Sequence, residues 1–283
     1  MKVITANTAG FCFGVRRAVD LVLEQCSAAG GNVYTYGPII HNEQVVAGLE
    51  KRGVRVIEDL ADLDTIKEGT IIIRSHGVSR AEQEIMDRSS LNVVDATCPY
   101  VKKIHRIVEK AGDEGRTVII AGDPGHPEVR GIVGWTTGRA IVVNSAAEAA
   151  SVQLEKGERI MLVAQTTFQA AKFEDIVEIY RKRGYYDFVI NTVCSATDER
   201  QAEARDLARQ VDVMIVVGGR HSSNTRKLYE ICQEHCESTY LIETLDDLDL
   251  KPFQSFTCVG ITAGASTPKS IIEEVTKHVR TKL

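Results

Sequence analysis

Three cysteines, Cys12, Cys98 and Cys194, lie 86 and 96 residues apart, each between a short apolar run and an amphipathic helical pattern. Thiolates are soft ligands, and three of them from distant parts of one chain suit two kinds of centre. One is zinc with an open fourth position. The other is a cubane iron–sulfur cluster with three irons held by cysteine and one left for substrate. The wide spacing excludes compact CxxC ribbons and the close-set ferredoxin run, and by itself it does not choose between the two metals. A single cysteine in an α/β core is more often a small buried hydrophobe, and Cys26, Cys232, Cys236 and Cys258 read that way. Cys12, Cys98 and Cys194 stand apart through their shared context.

That context is a pattern met three times with a period near 90 to 95 residues. Each round opens with a strand leading to a cysteine and then a helix: Val3 to Thr5 before Cys12, Val93 to Thr97 before Cys98, and Val189 to Val193 before Cys194. Pro99 suits a first helical turn and places Cys98 at the N-cap. A second strand ends in a glycine-bearing loop with a histidine, His41, His126 and His221, which follow their cysteines by 29, 28 and 27 residues. A third strand ends in a polar cluster at His76, Thr166 and Ser266, 64, 68 and 72 residues beyond the same cysteines. Apolar runs alternating with helical patterns argue for α/β architecture with largely parallel sheets. The expectation is three pseudo-equivalent αβ lobes, residues 1–90, 91–185 and 186–283, each with a small parallel sheet. Ligands of open α/β sheets bind beyond the carboxyl ends of the strands, where all nine repeated positions fall. Three lobes meeting around an axis would send them into one central cavity.

The polar residues there have chemistry of their own. His41, His76, His126, Thr166, Ser222, Ser223, Asn224 and Ser266 are neutral or titratable donors beside glycine-rich turns. Helix N-termini bind phosphate through free N–H groups and a partial positive charge, without needing lysines. Ser222-Ser223-Asn224-Thr225 and Ser266-Thr267-Pro268 both look like helix openings, and ordinary capping accounts for most such residues. Capping does not account for three histidines in matching loops. Glu128, in His126-Pro127-Glu128, is the one carboxylate singled out. Beside a bound anion its ionisation would be disfavoured, so it could donate a proton.

Composition narrows the classes. Hydrophobic content of 43% and charged content of 26% are ordinary for a globular chain. A net charge of −5 gives no bulk attraction to nucleic acid or anionic membrane. The N-terminus shows no apolar leader with a cleavage site, and no apolar stretch has spanning length. The expectation is a cytoplasmic chain whose seven cysteines are not a disulfide framework. The sequence ends at Leu283, soon after the last helical pattern, which reads as a chain with no appended domain.

Taken together, Gly10-Phe11-Cys12-Phe13-Gly14-Val15, His41-Asn42, Ser75-His76-Gly77-Val78, Asp95-Ala96-Thr97-Cys98-Pro99, Gly125-His126-Pro127-Glu128, Gln165-Thr166-Thr167, Ser222-Ser223-Asn224-Thr225 and Thr262-Ala263-Gly264-Ala265-Ser266 form a set. The set resembles the 4-hydroxy-3-methylbut-2-enyl diphosphate reductase family, which closes the methylerythritol phosphate route to isoprenoids. The resemblance runs from Cys12 to Ser266. It implies one 4Fe–4S cluster per chain held by Cys12, Cys98 and Cys194, with one iron not held by cysteine. It implies a small allylic diphosphate gripped by His41, His76, His126, Ser222, Asn224 and Ser266, with Ser223 at the edge. Thr166 would contact the substrate hydroxyl and Glu128 would feed protons. The products would be isopentenyl and dimethylallyl diphosphate, and a ferredoxin or flavodoxin would donate the electrons.

Two other readings use the same residues: a zinc hydrolase on three thiolates, and a redox or oxygen sensor with an exposed cluster. The second would need a partner surface or DNA-binding element, and the sequence shows no helix-turn-helix pattern or basic stripe.

Overall fold

The strands of this chain are short runs of apolar, mostly β-branched residues, which is how a strand reads when both faces of a parallel sheet are covered. The structure, a computed structural model, describes residues 2–28, 31–185, 188–249 and 256–282. Its strands are β1 (Lys2–Thr5), β2 (Val33–Tyr36), β3 (Arg55–Ile57), β4 (Thr70–Ile73), β5 (Asn92–Asp95), β6 (Thr117–Ala121), β7 (Ala140–Val143), β8 (Ile160–Ala164), β9 (Val213–Val217), β10 (Thr239–Ile242) and β11 (Cys258–Ala263). The α-helices are α1 (Phe13–Ala28), α2 (Glu43–Glu50), α3 (Arg80–Arg88), α4 (Pro99–Asp113), α5 (Pro127–Trp135), α6 (Ala146–Ser151), α7 (Ala170–Lys182), α8 (Ser195–Ala208), α9 (Ser223–Gln233) and α10 (Lys269–Lys282).

Three parallel sheets result, ordered β3-β2-β4-β5, β7-β6-β8 and β10-β9-β11-β1. In each, the first strand after a cysteine lies between the second and third, and in the two four-stranded sheets a strand leading to a cysteine adds beside the third. Thus β5, which leads to Cys98, pairs with β4, and β1, which leads to Cys12, pairs with β11. The α/β expectation of small parallel sheets holds. The chain divides into two compact units. One comprises residues 1–16, 41–45 and 195–283 and contains the β1 sheet. The other comprises residues 17–40 and 46–194 and contains the remaining two.

One expected strand is missing. Val189 to Val193 contributes a single bridge, Val189 to Leu162, beside β8. The hydroxyl of Thr192 replaces the ladder beyond it. The backbone N–H of Ala164 donates to Thr192 Oγ1 at 2.7 Å, and that hydroxyl donates to the Ala164 carbonyl at 2.6 Å. A side chain that satisfies both groups of the neighbouring strand leaves no ladder to extend.

The helices are held by burial. Along α4, Val101, Ile104, Val108 and Ala111 are buried at helical spacing, with Ile107 half-buried beside them. Pro99 occupies the first turn and Cys98 the N-cap, as the sequence indicates. In the central strand β4, Ile71, Ile72 and Ile73 are fully buried. Each such side chain contributes about 1.5–3 kcal/mol of burial, enough to hold rigid the strand ends from which the polar loops emerge.

Candidate functional site

Strands β1 and β5 lead to Cys12 and Cys98, Cys194 follows the single-bridge segment at 189–193, and each of the three cysteines stands at a helix N-terminus. The Cys12 and Cys98 carbonyls accept from Arg16 and Lys102, both at 3.0 Å, the first bonds of α1 and α4. Cys194 immediately precedes α8. Their own backbone N–H groups follow one rule. Cys12 donates to the Ala265 carbonyl at 3.2 Å, Cys98 to the Ser75 carbonyl at 3.0 Å, and Cys194 to the Thr166 carbonyl at 3.0 Å. Each cysteine is thereby tied to the polar cluster closing the third strand of a sheet. All three are half-buried, and the seven cysteines, every one among the described residues, form no disulfide. Half-buried sulfur at helix N-termini, where negative charge is favoured, fits a thiolate-bound metal group.

The unit built on β9 and β11 gathers one half of the polar set. Ser266 Oγ donates to the His41 carbonyl at 3.0 Å. Ser222 caps α9 by accepting from the Thr225 N–H at 3.3 Å. Gly219 passes so close to His41 that a Cβ there would lie 3.0 Å from the His41 carbonyl oxygen. At Gly218 the backbone has φ +148, and a Cβ would lie 2.6 Å from Thr267 Oγ1, so only glycine lets these loops close. Ser222, Ser223, Asn224 and Ser266 are all buried. Both polar atoms of the Asn224 side chain are buried without a hydrogen-bond partner among the described residues. Leaving a buried amide unsatisfied costs about 1–3 kcal/mol, which a bound polar group would recover.

The other unit carries the rest. The His76 and His126 rings meet edge to face with centroids 5.4 Å apart. His126 caps α5: its Nδ1 accepts from the Glu128 N–H at 3.1 Å, so in the neutral ring Nε2 carries the proton and points a donor elsewhere. Glu128, only 2% exposed, accepts the Thr166 N–H at 2.6 Å and the Thr166 hydroxyl at 2.8 Å, one on each oxygen. The Thr166 hydroxyl thus keeps its lone pairs while lying one hydrogen bond from a carboxylate, the arrangement of a short proton relay.

The sequence profile of the LytB protein family matches residues 3–280. This chain belongs to the LytB protein family. Curated relatives run its full length. The 4-hydroxy-3-methylbut-2-enyl diphosphate reductase of Geotalea uraniireducens is 47% identical over 279 residues, 99% of this chain and 97% of that protein. The enzyme of the same name from Caldanaerobacter subterraneus is 42% identical over 281 residues, with the same two coverages. The solved E-1-hydroxy-2-methyl-but-2-enyl-4-diphosphate reductase from Plasmodium falciparum resembles this LytB protein with a TM-score of 0.92 at 29% identity, covering 98% of this chain and 87% of that one. A second solved structure, of (E)-4-hydroxy-3-methyl-but-2-enyl diphosphate reductase, has a TM-score of 0.69 at 43% identity and covers 99% of this chain and all of that one.

Some expectations for this LytB protein change in detail. His221, the third matching histidine, is exposed. Cys232 and Cys236 are buried as expected, and burial pushes the Cys232 thiol up to about 12. Cys26 and Cys258 are only half-buried, because each sits toward the end of its element. Several residues behind the cysteine loops were not foreseen. Arg200, buried in α8, donates to the carbonyls of Thr8 at 2.6 Å and Gly10 at 2.8 Å, and Glu203 accepts the N–H groups of Asn7 and Thr8. Together they fix the loop before Cys12. Arg17 donates to the Thr97 and Asp95 carbonyls, both at 3.3 Å, just before Cys98. Only Arg200 carries a signal in the sequence, since it stands at a helical position where the spacing of Ala204, Leu207 and Ala208 calls for a buried residue.

Proposed function

We propose that this LytB protein is the reductase that replaces the hydroxyl of 4-hydroxy-3-methylbut-2-enyl diphosphate by hydrogen, yielding isopentenyl and dimethylallyl diphosphate. It would act in the cytoplasm as the last step of the methylerythritol phosphate pathway. The observation that carries the reading is the threefold tie of a helix-opening cysteine to a polar strand-end loop, at Cys12, Cys98 and Cys194. In this reading those three thiolates hold one 4Fe–4S cluster with one iron free of cysteine, and lobes 1–90, 91–185 and 186–283 each supply one. When bound, the cluster supplies Lewis acidity toward the substrate hydroxyl and electrons one at a time.

The chain's own residues bind, orient and protonate. His41, His76, His126, Ser222, Asn224 and Ser266 grip the diphosphate, with Ser223 at the edge. The unsatisfied amide of Asn224 and the Nε2 donor of His126 support that role. Gripping a group that does no chemistry turns binding energy into orientation of the allylic end. The overall change is R–OH + 2 e⁻ + 2 H⁺ → R–H + H₂O. A proton for the departing oxygen passes from Glu128 through the Thr166 hydroxyl, which contacts the substrate hydroxyl. Electrons come from a ferredoxin or flavodoxin. The test is anaerobic turnover: the reconstituted protein oxidises reduced viologen only when the diphosphate substrate is added. Cluster-loaded protein that does not do so refutes the assignment.

A further inference from the structure

The reductase reading needs a partner that brings electrons one at a time, and electron transfer falls steeply with distance, so the partner must dock beside a cluster ligand. The helices that open at the three cysteines differ in charge there: α1, after Cys12, exposes Phe13 with a single cation, Arg16, in its first turn. The first turn of α8, after Cys194, exposes Asp198 and Glu199. The first turns of α4, after Cys98, expose Pro99, Tyr100, Lys103 and Arg106 at helical spacing, with Tyr100 46% exposed.

Charge pairing leaves the α4 face positive. Arg106 lines a cleft of about 250 Å³ with Asp95, Lys102 and Glu109. Both carboxylates of that cleft are already engaged, Asp95 by Lys102 at 2.5 Å and Glu109 by Arg80. Lys103 and Arg106 form no ion pair among the described residues. The face is therefore an exposed aromatic ringed by uncompensated cations, on a chain whose net charge is −5. An aromatic centre with a charged rim is how a transient protein interface is built. The rim sets the rate and the orientation of encounter.

We propose that the exposed face of α4, centred on Tyr100 with Lys103 and Arg106, is the docking surface for a small acidic protein that carries electrons one at a time. This inference rests on the reductase reading. An acidic carrier is repelled by the chain as a whole and drawn to this local positive face, which starts one residue beyond Cys98. Two carriers, each losing one electron, supply the two electrons of one turnover, and the carrier itself gives up no atoms to the substrate.

The probe is flavodoxin, supplied as its hydroquinone for turnover and in oxidised form for binding by calorimetry. The test variant is Lys103→Glu/Arg106→Glu. Lys51→Glu/Arg52→Glu, with the same change of net charge on an exposed segment elsewhere, is the control. The α4 variant should lose about tenfold or more in flavodoxin affinity and in kcat/KM for flavodoxin at low salt, while viologen-driven turnover stays within about twofold. The difference should shrink as salt is raised from about 0.05 M to about 0.5 M, since screening shortens the reach of exposed charges. Unchanged flavodoxin binding in the α4 variant overturns the proposal, as does an equal loss in the control. If the α4 variant also loses viologen turnover, Lys103→Gln/Arg106→Gln and the salt dependence of the unaltered protein decide. Flavodoxin binding by the unaltered protein that ignores salt overturns the proposal. Should the unaltered protein itself fail with viologen, the reductase reading falls, and calorimetry still decides the docking surface.

Discussion

Replacing Glu128 by glutamine isolates the relay from the scaffold. The carboxylate accepts the Thr166 N–H at 2.6 Å and the Thr166 hydroxyl at 2.8 Å. A glutamine in the same pose keeps the first bond through its carbonyl. Its amide can donate to the Thr166 oxygen once that hydroxyl rotates, so neither buried group is orphaned. Exchanging two charge-assisted bonds for neutral ones should cost about 1–2 kcal/mol of stability. Turnover should fall by about 10²–10⁴-fold, the usual worth of a positioned proton donor, because an amide has no proton to give. Glu128→Ala differs in kind. It also leaves the Thr166 N–H buried without an acceptor, adding about 1–3 kcal/mol. The assay is anaerobic viologen oxidation on reconstituted protein, with iron and sulfide content and substrate binding measured on the same samples. Glu128→Gln should bind substrate and hold iron normally while kcat collapses. Near-normal kcat in Glu128→Gln would refute the proton role. A loss of iron matching the loss of turnover would make Glu128 a structural support of the Cys194 loop through Thr166.

Three further predictions follow from the buried polar groups. Asn224→Leu should leave folding stability unchanged or raised, since it removes an orphaned amide, while weakening diphosphate binding about ten- to a hundredfold; thermal melts and substrate titration separate the two effects. Arg200→Met should lose about 1–3 kcal/mol by orphaning the buried Gly10 carbonyl and freeing the half-buried Thr8 carbonyl, and should retain less iron because the loop before Cys12 loosens. Burial holds His105, stacked on Trp135, down to about 4 from 6.5, so the unfolded chain takes up a proton that the folded chain refuses. Stability of the cluster-free protein should therefore fall as pH drops from about 6.5 toward 4, by up to about 3 kcal/mol, and His105→Phe should flatten that slope in urea titrations.

The sequence carried the positions of the cysteines and strand ends because those depend on local pattern. Pro99 after Cys98 marks a helix start whatever surrounds it, and α4 starts there. The run Ile71-Ile72-Ile73 reads as a buried parallel strand and is one. Pairing was less legible, since nothing in Val3-Ile4-Thr5 says that its neighbour is β11, more than 250 residues later in the chain. Thr192 misled for a related reason: a threonine side chain that takes over a backbone ladder looks, in sequence, like any β-branched residue of a strand. His41, His126 and His221 occupy matching loops, yet His221 is exposed, because spacing fixes the loop and not the direction of the ring. The supports Arg17, Arg200 and Glu203 stayed hidden, since a charge on a helix normally marks its solvated face. Only the fold shows that these charges are engaged by the carbonyls and N–H groups of cysteine-bearing loops.

The central claim is that Cys12, Cys98 and Cys194 together make one redox centre acting on the allylic diphosphate. It is tested most directly by anaerobic viologen oxidation in the reconstituted protein and in single Cys→Ser variants at all seven positions. Two equivalents of reduced viologen should be consumed per substrate, since the reaction needs two electrons and the dye gives one. The activity should be lost in Cys12→Ser, Cys98→Ser and Cys194→Ser and kept in the other four. Cluster-loaded protein that consumes no dye on substrate addition, or full activity in any of the three named variants, would contradict it.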